Sequence, residues 1–150
     1  MAAREVKLMR ESTRGMLRQA EWFPGRSLDI GEVRSLLQSR GYSIGEALEQ
    51  FLREFTGITI NFIRNGHPDS IWFDAQRASA LADPEWVEHY EERTKASLVP
   101  IGFSNHEHLM LMQSDEGGFY GAFDDFLCAL GSEADEMIEN LLNQEREPLV

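Results

Sequence analysis

The apolar residues of this chain change their repeat at Gly57, and that change bounds the fold. Before it, Ile44, Leu48, Phe51, Leu52 and Phe55 recur at helical spacing and form one broad stripe. After it, Ile58-Thr59-Ile60-Asn61-Phe62-Ile63 alternates at period two, as a half-buried strand does. The two repeats belong to different backbones, so helix and strand must share one chain. Gly57 sits where a helix C-terminus favours positive φ.

The flanking segments fit the same plan. Residues 11–21 form a first helix with Met16, Leu17 and Ala20 inside, stopped by Trp22-Phe23-Pro24-Gly25-Arg26. Asp29-Ile30-Gly31-Glu32 and Ser43-Ile44-Gly45-Glu46 have capping-box spacing, and Gly41 ends the intervening helix that buries Val33, Leu36 and Leu37. Asn65-Gly66 is a hairpin-type turn into a short second strand at Ile71-Trp72-Phe73. A helical stretch at Gln76–Leu81 precedes a stronger start at Asp83-Pro84-Glu85, with Trp86, Val87 and Tyr90 inward. Leu98–Gly102 reads as an edge strand because Pro100 has no N–H to donate. Leu109–Met112 reads as a strand buried on both faces, and Asp115-Glu116-Gly117-Gly118 turns into Phe119–Phe123. Asp124-Asp125 reads as the opening of a short helical turn, and Ala134, Met137, Ile138, Leu141 and Leu142 line a last helix. The expectation is an α+β domain, a small, mostly antiparallel sheet packed with several helices.

At 150 residues and 42% apolar content, residues 1–150 read as one domain with a core of about 12–143 and frayed ends. No apolar run approaches a membrane span, and the charged start makes a poor signal peptide. The lone Cys128 lies in an apolar run and reads as a small buried hydrophobe, so cytoplasmic residence is expected. Residues 1–82 carry eleven Lys or Arg against ten Asp or Glu, and residues 83–150 carry three against sixteen, which splits the net −12 into +1 and −13. So much unpaired charge must coat a surface. It repels nucleic acid and anionic membrane, and it attracts basic partners; plain solubility is the competing reading.

No motif carries catalysis. His106-Glu107-His108 lacks a third ligand, there is no cysteine pair, and His67 and His89 read as loop and helix-surface residues, so no metal and no cofactor are expected. Cys128, Ser104 and Ser114 have no recognisable base beside them. The pairs Asp124-Asp125 and Asp115-Glu116 suit hydration or capping better than acid–base work. Gly117-Gly118 lacks the rest of a phosphate loop. Arg4, Lys7, Arg10, Arg14 and Arg18 could form a basic stripe, but no basic cluster accompanies the aromatics of the sheet.

Several segments taken in order are more specific than any one alone. They are Ala20–Arg26, Phe51–Ile58, Tyr90-Glu91-Glu92-Arg93, Leu98–Gly102, Met112–Gly121, and Phe123-Asp124-Asp125 with Leu130-Gly131. Over about residues 12–143 the chain resembles the SUKH superfamily, in particular its third bacterial immunity subfamily. Thr56 departs from the pattern before Gly57, Thr94–Ser97 lacks a glycine, and Gly118 stands where a polar residue is common. The resemblance implies an α+β domain without a catalytic constellation. Its bacterial members often neutralise toxins used in competition between related cells, many of them nucleases or deaminases; other branches are regulatory or scaffold modules. On that basis a non-catalytic immunity protein is expected, covering the basic active-site surface of a cognate toxin domain. The alternative is a regulatory or scaffold module with a non-toxin partner. The expected contacts are Asp115, Glu116, Tyr120, Asp124 and Asp125, with Glu88, Glu91 and Glu92 as a second acidic patch. Tyr120 reads equally well as core, and Arg26 as a structural turn residue.

Overall fold

A computed structural model of the chain describes residues 10–104, 106, 108–144 and 147–149. Arg4, Lys7, Glu107 and most of both chain ends lie outside the described residues. Helices α1 (Glu11–Gln19), α2 (Gly31–Ser39) and α3 (Glu46–Phe55) precede the hairpin β1 (Thr59–Arg64) and β2 (His67–Phe73). Helices α4 (Ala75–Leu81) and α5 (Pro84–Thr94) follow. The chain continues through β3 (Leu98–Ser104), β4 (Leu109–Ser114), β5 (Phe119–Phe123), β6 (Phe126–Gly131), α6 (Ala134–Asn143) and the two-residue β7 (Glu147–Pro148). Each strand pairs antiparallel with its neighbour in sequence, so the sheet is a meander into which α4 and α5 are inserted. The expected α+β architecture is the observed one.

The sheet is covered on both faces. Leu109 and Leu111 join Leu17, Phe51, Phe55 and Ile138 in one core, while Met110 and Met112 join Val87 and Tyr90 in the other. The strand period of two sends alternate residues of β4 to opposite layers. Phe51 anchors the first core, its ring 5.0 Å from Phe55 and 5.3 Å from both Phe73 and Phe119.

Local chemistry accounts for the helix ends. Asp83 accepts from the Glu85 N–H at 2.9 Å with Pro84 in the first turn, and Asp74 accepts from the Arg77 N–H at 3.1 Å. The Ser43–Glu46 box does not form, because α3 starts at Glu46 with Gly45 as its cap residue. Asp29 accepts from the Gly31 N–H, although Ile30 holds the N-cap position of α2. At the far end of α3, Arg26 donates to the Glu54 and Thr56 carbonyls, and Trp22 donates to Glu54 while stacking on Phe55. The Trp22–Arg26 segment therefore closes α3, satisfying carbonyls that the helix itself leaves open.

Asp69 ties three elements together. It is nearly buried and accepts from the Ser70 N–H at 2.7 Å, the His106 N–H at 3.1 Å and Arg64 at 3.3 Å, while Arg64 also donates to the Leu141 carbonyl of α6. Burial pushes the Asp69 carboxyl up, but these hydrogen bonds and the nearby His106 outweigh it and hold it below its ordinary value.

Two further expectations are corrected. Leu98–Gly102 is no edge strand: β3 lies between β2 and β4. A bulge between Pro100 and Gly102 shifts the register with β4, at the residue that cannot donate to a ladder. The bulge also resets the facing, since Leu98 and Phe103, five positions apart, pack into the same core. The second correction concerns Asp124-Asp125, which open no helical turn. They form the tip of a hairpin, and Phe126–Gly131 is strand β6.

Gly102, at the bulge, lets β3 approach β2 closely. A Cβ there would lie 2.0 Å from the Trp72 carbonyl oxygen of β2. Gly102→Ala is expected to lower the unfolding free energy in a urea titration by about 3 kcal/mol or more. Gly41→Ala, at φ +93° but with open space around it, is expected to cost only about 1–2 kcal/mol.

Candidate functional site

Phe123, Asp124, Asp125 and Phe126 make a two-residue turn between β5 and β6, as tight as the Asn65-Gly66 turn of the first hairpin. Phe123 and Phe126 face each other across the hairpin with ring centroids 5.0 Å apart, and Phe123 remains 43% exposed. Asp124 takes φ +47°, a conformation that aspartate tolerates better than most side chains. Asp124 and Asp125 are both exposed.

Helix α5 holds this tip from behind. The Tyr90 hydroxyl donates to the Asp124 carbonyl at 2.7 Å, and Arg93 donates to the Asp125 and Leu149 carbonyls at 2.8 Å each. Burial, then the charges of Asp124 and Asp125 against the opposing Arg93, push the Tyr90 hydroxyl up to about 12. It is therefore a protonated donor throughout the physiological range.

The other expected contact residues are placed elsewhere. Asp115 and Glu116 are exposed in the β4–β5 turn, at the opposite end of β5 from the tip. At a strand rise of ~3.4 Å per residue that is about 14 Å away. Tyr120 is half-buried against the α5 core, opposite Met112 and Ala129. Glu88 and Glu92 are exposed on the outer side of α5. Glu91 is half-buried, accepts from the Leu98 N–H at 2.9 Å and helps to raise the Tyr42 hydroxyl, whose shift burial dominates. The structure thus brings Asp124 and Asp125 together and separates them from Asp115 and Glu116. Phe123, the exposed aromatic between the strand and the acids, was not singled out from the sequence. Nothing in an apolar run distinguishes an outward ring from an inward one once a hairpin is read as a helix.

His106 and His108 are exposed in the β3–β4 turn, and His89 lies edge-on to Trp86 at 5.4 Å. Among the described residues no group of three or more His, Cys, Asp or Glu could hold a metal ion. Cys128 is fully buried, with its thiol 3.4 Å from the Gly121 carbonyl. No helix among the described residues is long and apolar enough to cross a membrane.

Residues 9–144 match the family model described as SUKH-3 immunity protein. The chain belongs to that family. No curated protein and no solved structure matches it. SUKH-3 membership suggests an immunity-protein role, and the segments that carry the likeness turn out to meet in space. Tyr90 and Arg93 of one segment hold Asp124 and Asp125 of another, while Trp22 and Arg26 of a third close the helix that contains Phe51, Phe55 and Glu54.

Tyr90 gives this SUKH-3 domain a testable alkaline limit. Its folded value of about 12 exceeds the ordinary 10.0, so its contribution to stability is complete below pH 10 and is lost as the pH rises from 10 to 12. Thermal melts are expected to fall across that window in the native protein. Tyr90→Phe is expected to flatten this fall and to cost about 1 kcal/mol at pH 7 through the lost hydrogen bond.

Proposed function

We propose that this chain is a non-catalytic immunity protein that acts in the cytoplasm by docking the β5–β6 tip on a basic toxin domain and covering that domain's substrate-binding surface. The observation that carries the reading is Phe123, exposed, stacked on Phe126 and flanked by two carboxylates on a turn that Tyr90 and Arg93 fix. An aromatic side chain on a held backbone is what dominates binding energy at protein interfaces, because little ordering cost remains. The two carboxylates that follow the ring in the turn select a basic surface, which is also the surface that a nuclease or deaminase offers to its substrate. Opposite charge speeds the encounter, and the desolvated ring retains the complex.

The acids fall into separate roles on this reading. Asp124 and Asp125 act at the contact. Glu88 and Glu92 stand on another part of the surface and add to the overall field, which decays over a Debye length of about 8 Å at physiological ionic strength.

Co-expression with the proteins encoded beside the gene, followed by mass-spectrometric identification of what co-purifies, tests the reading. A basic toxin domain is expected to be retained and inhibited. Phe123→Ala is expected to weaken that complex by about 2 kcal/mol or more, mainly through faster dissociation. Asp124→Asn with Asp125→Asn is expected to slow association and reduce its salt dependence. Retention of a non-toxin protein in place of a toxin would replace the immunity reading with the regulatory or scaffold one.

A further inference from the structure

The two edges of the sheet are built differently. At one edge stands β7, two residues long, with Pro148 opposite Cys128. A proline offers no N–H to an added strand, so this edge is blunted. At the other edge stands β1, six residues in unbroken register with β2, without proline or bulge. Its one charged residue, Arg64, turns its head away to Asp69 and the Leu141 carbonyl. The strand lacks the usual devices that stop sheets from pairing edge to edge.

The hairpin fixes which groups of β1 point outward. The Phe73 N–H donates to the Ile58 carbonyl at 2.9 Å, and the two-residue Asn65-Gly66 turn closes on the Arg64–His67 pair. An antiparallel ladder bonds every second residue of a strand. Ile60, Phe62 and Arg64 therefore bond β2, while Thr59, Asn61 and Ile63 direct their N–H and C=O groups away from the sheet. All three are exposed, Ile63 to 67%, and among the described residues no strand lies beyond them. Their side chains share a face with Pro68, Ser70 and Trp72 across the hairpin. Ile63 lies opposite the exposed Pro68, so an apolar rim flanks the free edge.

We propose that β1 pairs antiparallel with β1 of a second copy of this chain, joining two sheets across a two-fold axis at Asn61. One register uses every outward group: Asn61 faces its own copy, and Thr59 faces the second copy's Ile63. Moving the axis to Ile60 or Phe62 would bring together groups already bonded to β2, and moving it to Thr59 or Ile63 would leave outward groups unpaired. The side-chain pairs suit a self-interface. Two β-branched residues meet at Thr59 and Ile63, two carboxamides meet at the axis, and no like charges oppose each other.

Charge permits the pairing despite the net −12 of each copy. Residues 1–82 are nearly neutral, and α6 reaches β1 with a last turn that carries no acid. The acidic β5–β6 tip is four to five strands away. That is about 20 Å at the spacing of paired strands, against a Debye length of about 8 Å. The assembly also closes, because pairing uses both open edges and leaves the proline-blunted β7 edges outside. Strands β1 and β5 run the same way, so the β1–β2 turn and the β5–β6 tip lie at one end of the sheet. The two-fold therefore points the two tips in opposite directions. The pairing is argued from the hairpin alone and does not depend on the immunity reading.

Sedimentation velocity of the full chain over about 1–300 µM is expected to show reversible association from 17.1 kDa to twice that mass. Asn61→Lys and Asn61→Glu each set like charges against each other at the axis, and each is expected to weaken the dimer at least about tenfold. Circular dichroism is expected to show both variants folded, since Asn61 is exposed. An equal mixture of the two is expected to restore association as a mixed dimer, resolved by native mass spectrometry, because position 61 meets its own copy in this register. Asn61→Pro removes the central donors without touching the bonds to β2 and is expected to be monomeric. A single 17.1 kDa species throughout the range overturns the proposal. So does a dimer that both charged variants leave intact, or one that their mixture fails to restore. A monomer that binds and inhibits a toxin leaves the immunity reading standing, whereas a dimer without any toxin partner leaves only the pairing.

Discussion

The close approach of β2 and β3 at Gly102 is the constraint on which the arrangement of this molecule depends. The Trp72 carbonyl occupies the space of a side chain, so only glycine lets the two strands meet there. The adjoining bulge then reverses the facing of β3. Val99 and Ile101 pack into the core under α3, while Leu98 and Phe103 pack into the core under α5. Trp72 and Phe103 consequently meet on the α5 side, with ring centroids 5.4 Å apart and planes tilted by 32°. Without the offset, the second half of β3 would present its large side chains to the wrong layer. The inserted helices α4 and α5 would then lose the apolar surface that they cover, and with it the platform behind the β5–β6 tip.

Much of this fold was legible because helices and hairpins announce themselves locally. The stripe ending at Phe55, the Asn65-Gly66 turn with positive φ at both residues, and the Asp83-Pro84 start all depend on neighbours a few positions away. The misreadings came where local chemistry is shared by two structures. An Asp pair before an apolar run suits a helix start and a two-residue hairpin alike, and Phe126–Leu130 is a short unbroken apolar run that periodicity cannot assign. Pro100 signals a missing donor; whether an edge or a bulge accommodates it is settled by strands far away in sequence. The candidate site shares that limit. Asp124 and Asp125 were visible as acids, but the exposure of Phe123 and the separation of Asp115 from the tip by the length of β5 are products of the meander.

The acidic C-terminal half is likewise no single surface. Some of its carboxylates are committed to backbone donors, Glu91 to Leu98 and Glu136 to Ser132. Others stand exposed on separate elements: Asp124 and Asp125 at the tip, Glu88 and Glu92 on α5, and Asp115 and Glu116 in the β4–β5 turn. A charge total read from sequence therefore says little about where on the surface the charge stands.

The hydrogen bonds that hold the tip end on main-chain carbonyls of Asp124 and Asp125, whatever side chains those positions carry. Posture and chemical identity are thus largely decoupled at the tip. Positions 123 and 125 can be rewritten, and position 124 among residues that tolerate its positive φ, while the turn keeps its geometry and the domain keeps most of its folding free energy. Such a scaffold diversifies cheaply, in the way that a loop on a rigid frame does, and two copies diverging after duplication would separate first in whom they recognise and only later in how they fold.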